Sequence, residues 1–125
     1  MKFVPETAEG ANMIARHDPQ RVWVGGAMHT TSLFVPWVGA VVPWAVARWE
    51  DLAPADFERM AAFAPELVIF GSGTRMRFAP PALLKPLAER RIGIECMDTA
   101  AACRTYNVLV SERRSVLAAL LLGVD

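Results

Sequence analysis

The feature of this sequence that most constrains its fold is a long stretch without formal charge. Residues 22–47 contain no Asp, Glu, Lys or Arg, and about 20 apolar residues in a helix are enough to span a bilayer. Pro36 and Pro43 lie inside this stretch, and a proline within a helix removes a backbone hydrogen bond. The stretch is instead rich in residues that favour strands, and Gly25-Gly26 is a turn signal. We therefore predict no transmembrane segment but a β-meander, whose strands cover residues 22–24, 27–35 and 40–47.

Length and charge indicate a single globular domain. A chain of 125 residues has the size of one domain, here 1–125. A nucleic-acid partner is not expected, because 13 basic residues only balance 13 acidic ones and phosphate binding needs a basic excess. Residues 1–20 resemble neither a secretory signal nor a transit peptide. We expect them to form an extended or poorly ordered segment. Together with only two cysteines, this favours a cytoplasmic protein.

Helices and strands alternate along the rest of the chain. Strands are expected over residues 67–70, 92–97 and 116–122, and helices over residues 54–64, 81–91 and 99–110. Pro54 suits the first turn of its helix, and Pro86 predicts a kink in the second. Asp98 and Thr99 suit the N-cap of the third helix. This order predicts a single three-layer α/β domain with a mixed, largely parallel central sheet and an N-terminal β-meander.

A glycine loop follows the first of these later strands. Gly71-Ser72-Gly73-Thr74 lies where open α/β sheets bind ligands, at the carboxyl end of a strand. Its backbone amides could cradle an anion, with Arg75 and Arg77 as counter-charges. The loop is neither a dinucleotide fingerprint, since no helix begins directly after it, nor a P-loop, since it lacks Gly-Lys-Ser/Thr. A loop that only turns the chain between layers is the alternative.

The densest polar cluster lies in the third helix and just beyond it. Asp98 and Thr99 are expected to cap the helix, and Thr105 and Asn107 to bond neighbouring backbone. Asn107 and Glu112 could instead line a pocket around the glycine loop. Glu112 has two candidate ion-pair partners, Arg75 and Arg114. Because the spacing defines no acid–base pair, we assign no catalytic residue.

The thiols and imidazoles do not form a recognisable reactive pattern. Cys96 and Cys103 are the two cysteines, and His17 and His29 are the two histidines. Cys103 is expected near the start of a helix, where a thiol pKa is lowered, but no pattern brings a histidine to it. We therefore expect both cysteines to be small buried hydrophobic residues, and we expect neither a metal site nor a cofactor.

The four tryptophans concentrate in one part of the chain. They are Trp23, Trp37, Trp44 and Trp49. Most are expected to pack on the sheet, and an exposed subset would form a protein-binding surface, because Trp is a common hot-spot residue. The apolar content of 54% is also compatible with a homo-oligomer.

Three segments resemble one known family closely. They read PELVIFGSGT over residues 65–74, GIECMDT over 93–99, and AACRTYNVL over 101–109, followed by Ser111-Glu112. These strings are similar to the Mth938-like domain family, also called domain of unknown function 498. That family includes the mitochondrial complex I assembly factor 3 and the adipogenesis-associated Mth938-domain protein. The resemblance extends over nearly the whole chain from about Val22.

The resemblance implies a three-layer α/β fold with a mixed sheet, and no established enzymatic activity for most members. It also implies a protein partner, since the mitochondrial relative acts as an assembly factor at the inner membrane. The positions that match the family pattern are Gly71, Gly73, Asp98, Thr99, Thr105, Asn107, Glu112 and Arg114. Arg113 departs from it, because many members have Gly there. If this position has a positive φ, arginine costs about 1 kcal/mol.

Two functional hypotheses follow. The first is a non-catalytic protein-binding or complex-assembly factor of a bacterial cytoplasm, whose client could be membrane-bound. The second is a protein or enzyme that binds a small anion or small molecule. It would use Gly71-Ser72-Gly73 with Arg75 and Arg77, and Asn107 and Glu112 would line the pocket.

Overall fold

The computed structural model describes residues 10–125, and an antiparallel sheet of three strands comes first. Its strands are β1 Ile14–Asp18, β2 Arg21–Val24 and β3 Ala27–His29. Gly25 and Gly26 join β2 to β3 with φ values of 57° and 85°, which suits a two-residue hairpin turn. Within the segment 1–20, β1 is therefore a paired strand, while residues 1–9 lie outside the described part.

A second, mixed sheet of five strands forms the centre of the domain, in the order β5-β4-β8-β6-β7. Its strands are β4 Leu33–Pro36, β5 Val42–Pro43, β6 Leu67–Gly71, β7 Gly93–Met97 and β8 Val116–Leu120. β6 pairs in parallel with both β7 and β8, whereas β4 pairs antiparallel with β8 and β5. The predicted mixed α/β fold is confirmed.

The predicted meander is wrong in two details. Residues 27–35 do not form one strand, because the chain leaves the small sheet after β3 and joins the central sheet at β4. Buried Ser32 fixes this crossing, since its Oγ donates to the carbonyl of Val46 and accepts from the amide of Leu122. Residues 40–47 contribute only the two residues of β5.

Within residues 10–125, three α-helices cover the two faces of the central sheet. They are α1 Pro54–Ala62, α2 Lys85–Glu89 and α3 Thr99–Ser111. α1 and α2 pack on one face together with Trp44, and α3 packs on the other with the small sheet. All five residues of β8 are buried and alternate between these two cores, as expected for a central strand covered on both sides.

The helix boundaries follow local signals. Pro54 is the first residue of α1, and the Asp56 carboxylate accepts the amide of Ala53 at 2.8 Å. The second helix, expected over residues 81–91, is shorter: a 3₁₀ turn over Pro81–Leu84 precedes α2, and Pro86 lies in the first turn of α2 rather than at a kink inside a longer helix. Asp98 caps α3 by accepting the amide of Ala101 at 2.8 Å. Among residues 10–125, no helix is long and apolar enough to cross a membrane.

Arg113 has a positive φ of 66°, the case in which arginine carries a conformational cost. It follows the C-cap Glu112 of α3, and its amide donates to the carbonyl of Val110 at 2.9 Å. We expect Arg113→Gly to be more stable than Arg113→Ala by about 1 kcal/mol, because glycine adopts this conformation without Cβ strain. Alanine is the matched control, since both variants lose the same side-chain contacts. Equal urea midpoints for the two variants would contradict strain at this position.

Candidate functional site

The three parallel strands end at one edge of the central sheet, and the candidate site lies there. β6 leads into Ser72-Gly73-Thr74, β7 leads into Asp98-Thr99, and β8 leads into residues 121–124. The carboxyl ends of parallel strands are the usual ligand-binding edge of such sheets. The structure therefore brings the glycine loop and the start of α3 together.

The amides of the glycine loop are bonded to the protein itself. The amide of Ser72 donates to the carbonyl of Met97 at 2.8 Å, and that of Gly73 donates to Thr99 Oγ1 at 2.9 Å. The amide of Thr74 donates to the carbonyl of Val124 at 3.0 Å. An anion at this loop would thus be held by side chains rather than by these three amides.

Thr99 connects the ends of all three parallel strands and is not the N-cap. It is the first residue of α3, and its buried hydroxyl accepts the amide of Gly73 and donates to the carbonyl of Leu121 at 2.8 Å. Gly71 packs so closely that a Cβ there would lie 3.0 Å from Thr99 Cα. The loop therefore needs glycine for space, in agreement with its structural interpretation.

Ser72 anchors the segment that carries the two arginines. Its side chain is fully buried; its Oγ donates to the carbonyl of Arg75 at 2.7 Å and accepts the amide of Arg77 at 3.0 Å. These bonds fold the backbone of residues 75–77 back toward the end of β6. Ser72 thus fixes the position from which both arginine side chains extend.

A polar cavity of about 370 Å³ lies beside this segment. Arg48, Trp49, Arg75 and Arg77 line it together with residues near 124. The Arg77 guanidinium carbon lies 4.5 Å from the centre of the Trp49 ring, a cation–π contact. Nε and Nη2 of Arg77 are buried, and neither finds a hydrogen-bond acceptor among the described residues.

A second cavity, of about 350 Å³, lies on the α3 side of the glycine loop. Its lining includes His17, Thr74 and Asp98, so the end of β1 places a histidine near the start of α3. Cys103 does not share this environment, because its side chain is fully buried and burial raises the pKa of its thiol to about 12. The thiol of Cys96 is half-buried, and burial raises its pKa too.

The structure does not bring Asn107, Glu112 and Arg114 to the glycine loop. α3 begins at the loop and runs 13 residues away from it, a distance of about 20 Å at 1.5 Å per residue. Thr105 lies half-buried midway along this helix. A pocket that combines Gly71–Gly73 with Asn107 and Glu112 is therefore not formed.

Asn107 and its neighbour Tyr106 instead hold the small sheet on α3. The side chain of Asn107 accepts the amide of Ile14 at 2.9 Å and donates to the Ile14 carbonyl at 2.8 Å. The Tyr106 hydroxyl lies 2.8 Å from the carbonyl oxygen of Asn12 and donates to it. Asn107 therefore bonds the backbone at the start of β1, and Tyr106 bonds the backbone just before it, so both side chains have a structural role.

Arg114 pairs with Glu66 rather than with Glu112. The two side chains approach to 3.0 Å, and Glu66 also accepts the amide of Ser115 at 2.9 Å. The hydrogen bond from the Ser115 amide, followed by that from Arg114, lowers the pKa of Glu66 below its usual 4.5.

Glu66 should give the fold a pH-dependent stability. A lowered folded-state pKa means that the ionised carboxylate stabilises the fold above about pH 4.5, and that this contribution is lost as the pH falls through the folded pKa. We expect Glu66→Gln to be less stable than the wild type at pH 7, and the difference to shrink toward pH 3. Urea unfolding midpoints of both proteins, measured from pH 7 to pH 3, test this expectation. A difference in midpoint that stays constant over this range would contradict it.

The four tryptophans do not share one surface. Trp44 is 1% exposed, stacks on Phe34 at 4.7 Å and donates its indole N–H to Asp56, so it belongs to the core and offers nothing to a partner. Trp49 lies half-buried beneath Arg77, and Trp37 packs half-buried against the α3 core. Trp23 lies on the outer face of the small sheet.

Comparison with known proteins assigns the family. The sequence profile described as protein of unknown function DUF498/DUF598 matches residues 14–121. The chain belongs to the DUF498/DUF598 family. One family relative is NADH dehydrogenase (ubiquinone) 1 alpha subcomplex assembly factor 3 of Xenopus tropicalis, 34% identical over 84 residues. That match covers 66% of this chain and 46% of the relative, so the chain spans less than half the relative's length.

Bacterial relatives of this DUF498/DUF598 chain match over more of their length. An uncharacterized protein of Rhodobacter capsulatus is 36% identical over 112 residues, covering 90% of this chain and 86% of that one. A crystal structure from Bordetella parapertussis superposes with a TM-score of 0.86 at 32% identity, covering 92% of this chain and 98% of that one. The solution structure of an Mth938-like domain from Bordetella pertussis superposes with a TM-score of 0.83 at 28% identity. That match covers 100% of this chain and 94% of the other. The resemblance to the Mth938-like family is confirmed.

Proposed function

We propose that this chain is a non-catalytic protein-binding module that assists the assembly of a multi-subunit complex. The observation that carries the proposal is the outer face of the small sheet. Trp23 lies there with the guanidinium carbons of Arg16 and Arg21 at 4.6 and 5.3 Å from its ring centre. Met28 is the cross-strand neighbour of Trp23 and is 51% exposed. We call these four residues the Trp23 face.

The chemistry of the Trp23 face suits protein recognition. The flanking Val22 and Val24 are buried, so the alternation of a strand directs Trp23 outward. Trp and Arg are the residue types that contribute most to binding at protein interfaces, and Met is enriched there. The two guanidinium groups restrict the indole ring before binding, which lowers the entropy cost of ordering it.

Homology to assembly factor 3 supports the functional class. The matched relative is named for the assembly of NADH dehydrogenase, so the respiratory complex of that type is the first client to test. We propose a cytoplasmic location for the chain, with contact to the membrane only through such a client. A homo-oligomer is a separate proposal, which native mass measurement decides.

A photo-crosslinking amino acid placed at Met28 tests the binding surface in the native host. The matched control is the same amino acid at Val108, which is 55% exposed on α3. We expect a specific adduct from position 28 alone. The purified partner should then bind the Trp23→Ala, Met28→Ala double variant at least tenfold more weakly, because truncation of a hot-spot residue costs about 2 kcal/mol or more and tenfold corresponds to about 1.4 kcal/mol. It should bind Val108→Ala unchanged. Equal adducts from both positions, or unchanged binding of the double variant, would refute this surface.

Deletion of the gene tests the client. We expect less assembled NADH dehydrogenase in membranes of the deletion strain, restored by the wild-type chain and not by the double variant. Normal amounts of the complex in the deletion strain would remove that client while leaving the crosslinking result to identify another.

A further inference from the structure

We propose that the cleft around Trp49 binds a small monocarboxylate with an apolar body. The carboxylate would lie against Arg75 and Arg77, and the apolar body would lie against Leu52 and Leu83. This site is on a different part of the surface from the Trp23 face, and the proposal does not depend on the assembly role.

The first observation is the state of the Arg77 guanidinium. It lines the cavity of about 370 Å³, yet its Nε and Nη2 atoms are buried without a hydrogen-bond acceptor in the described part of the chain. Buried donors without partners are costly. A carboxylate is the planar anion that matches a guanidinium with two parallel hydrogen bonds. These two atoms are covered by protein, so a ligand in the cavity would supply the missing acceptors after a small shift of the atoms that cover them.

The charges around the cavity favour a singly charged ligand. Arg48, Arg75 and Arg77 line it together with Glu50 and Asp125, and Arg48 is already paired with Asp51 at 3.2 Å. The two remaining arginines face two acidic residues. A phosphate dianion would meet more repulsion from these carboxylates than a monoanion would.

The second observation is an apolar recess that shares a wall with the basic cavity. This recess, of about 270 Å³, is lined by Leu52, Pro80, Ala82 and Leu83, and by the same Trp49 and Glu50 that line the basic cavity. The side chains of Trp49 and Glu50 therefore border both spaces. Together they have the size of a small-molecule site, typically about 300–1,000 Å³, with a cationic end and an apolar end.

The cationic end is held in place before any ligand binds. The amide of Arg77 donates to Ser72 Oγ, and the carbonyl of Arg75 accepts from the same atom. The Arg77 guanidinium also rests on the Trp49 ring at 4.5 Å. Because backbone and side chain are both restrained, a carboxylate gains its hydrogen bonds without paying to order the arginine.

Octanoate is a suitable probe, with octanol and acetate as matched controls. Octanol keeps the apolar body without the charge, and acetate keeps the carboxylate without the body. We expect octanoate to bind saturably and both controls to bind at least tenfold more weakly. Isothermal titration calorimetry and the ¹⁵N chemical shift of the Trp49 indole measure the binding. Inorganic phosphate should fail to displace octanoate.

Variants assign each end of the cleft. Arg77→Met should weaken octanoate at least tenfold, whereas Arg21→Met, which removes another arginine that stacks on a tryptophan, should not. Ala82→Trp at an exposed position fills the recess and should reduce octanoate to the affinity of acetate. Asp125→Asn removes a competing negative charge and should strengthen octanoate binding. The Asp125→Asn variant still tests the cationic end of the cleft if Arg77→Met does not fold.

Three results would overturn the proposal. Equal binding of octanoate and octanol would mean that no anion is recognised. Displacement by phosphate at equal concentration would mean that the anion class is wrong. Absence of any saturable octanoate binding to the folded wild-type chain would remove the site. None of these results affects crosslinking from Met28, so the two proposals fail separately.

Discussion

Gly73→Ala is expected to destabilise the fold by about 3 kcal/mol, because strain and overpacking act at the same atom. Gly73 has a φ of 101°, and a Cβ added there would overlap the carbonyl oxygen of Val124. That carbonyl already accepts the amide of Thr74 at 3.0 Å. The backbone near Val124 would have to move, and the hydrogen bond that joins the glycine loop to it would be lost.

Gly123→Ala is the matched control for the Gly73 variant. Gly123 also has a positive φ, of 69°, but apart from its two chain neighbours no described residue has an atom within 4 Å of the Cβ position. We therefore expect it to cost only the conformational strain of about 1 kcal/mol. Urea unfolding of both variants measures the difference. Equal costs would show that close packing at Gly73 contributes nothing.

Thr99→Val is expected to cost about 3 kcal/mol, although the two side chains have nearly the same shape. The Thr99 hydroxyl accepts the amide of Gly73 at 2.9 Å and donates to the carbonyl of Leu121 at 2.8 Å, and both bonds are buried. Valine would leave one donor and one acceptor without partners, each at about 1–3 kcal/mol. In the Thr99→Val variant, the hydrogen-exchange rate of the Gly73 amide should increase more than the rates of the amides in α1.

Thr105→Val controls for the change of side chain within the same helix. Thr105 is half-buried in α3, and its hydroxyl has no hydrogen bond among residues 10–125. We expect a stability within about 0.5 kcal/mol of the wild type. If the two threonine variants are equally stable, the hydroxyl of Thr99 does not join the strand ends as described.

Local signals were sufficient for most elements of the fold. The proline at the start of α1, the Asp98 cap and the apolar run of β8 act within a few residues, so their effects are visible in the sequence. The break between β3 and β4 was not visible. It depends on Ser32, whose hydroxyl accepts from Leu122, 90 residues further along the chain.

The location of the candidate site can be predicted from the sequence, but the residues and hydrogen bonds that form it cannot. The position of the glycine loop at a strand end followed from the strand and the turn residues. The use of its amides did not, because their acceptors in Met97, Thr99 and Val124 belong to segments far along the chain. The alternative in which Asn107 lines a pocket at the loop depends on the cluster of polar residues around it in the sequence. The length of α3 carries it to the small sheet instead.

The place of β8 in the central sheet has a consequence for synthesis. β8 lies between β4 and β6 and joins the antiparallel part of the sheet to the parallel part. Until residues 116–120 have left the ribosome, β4 and β6 have no common partner, so the growing chain holds two unfinished apolar faces. Sheet formation must then wait for late, long-range pairing, a slow type of folding step during which chains are prone to aggregate. A nascent chain stalled before Val116 should consequently be sensitive to protease and bind chaperones.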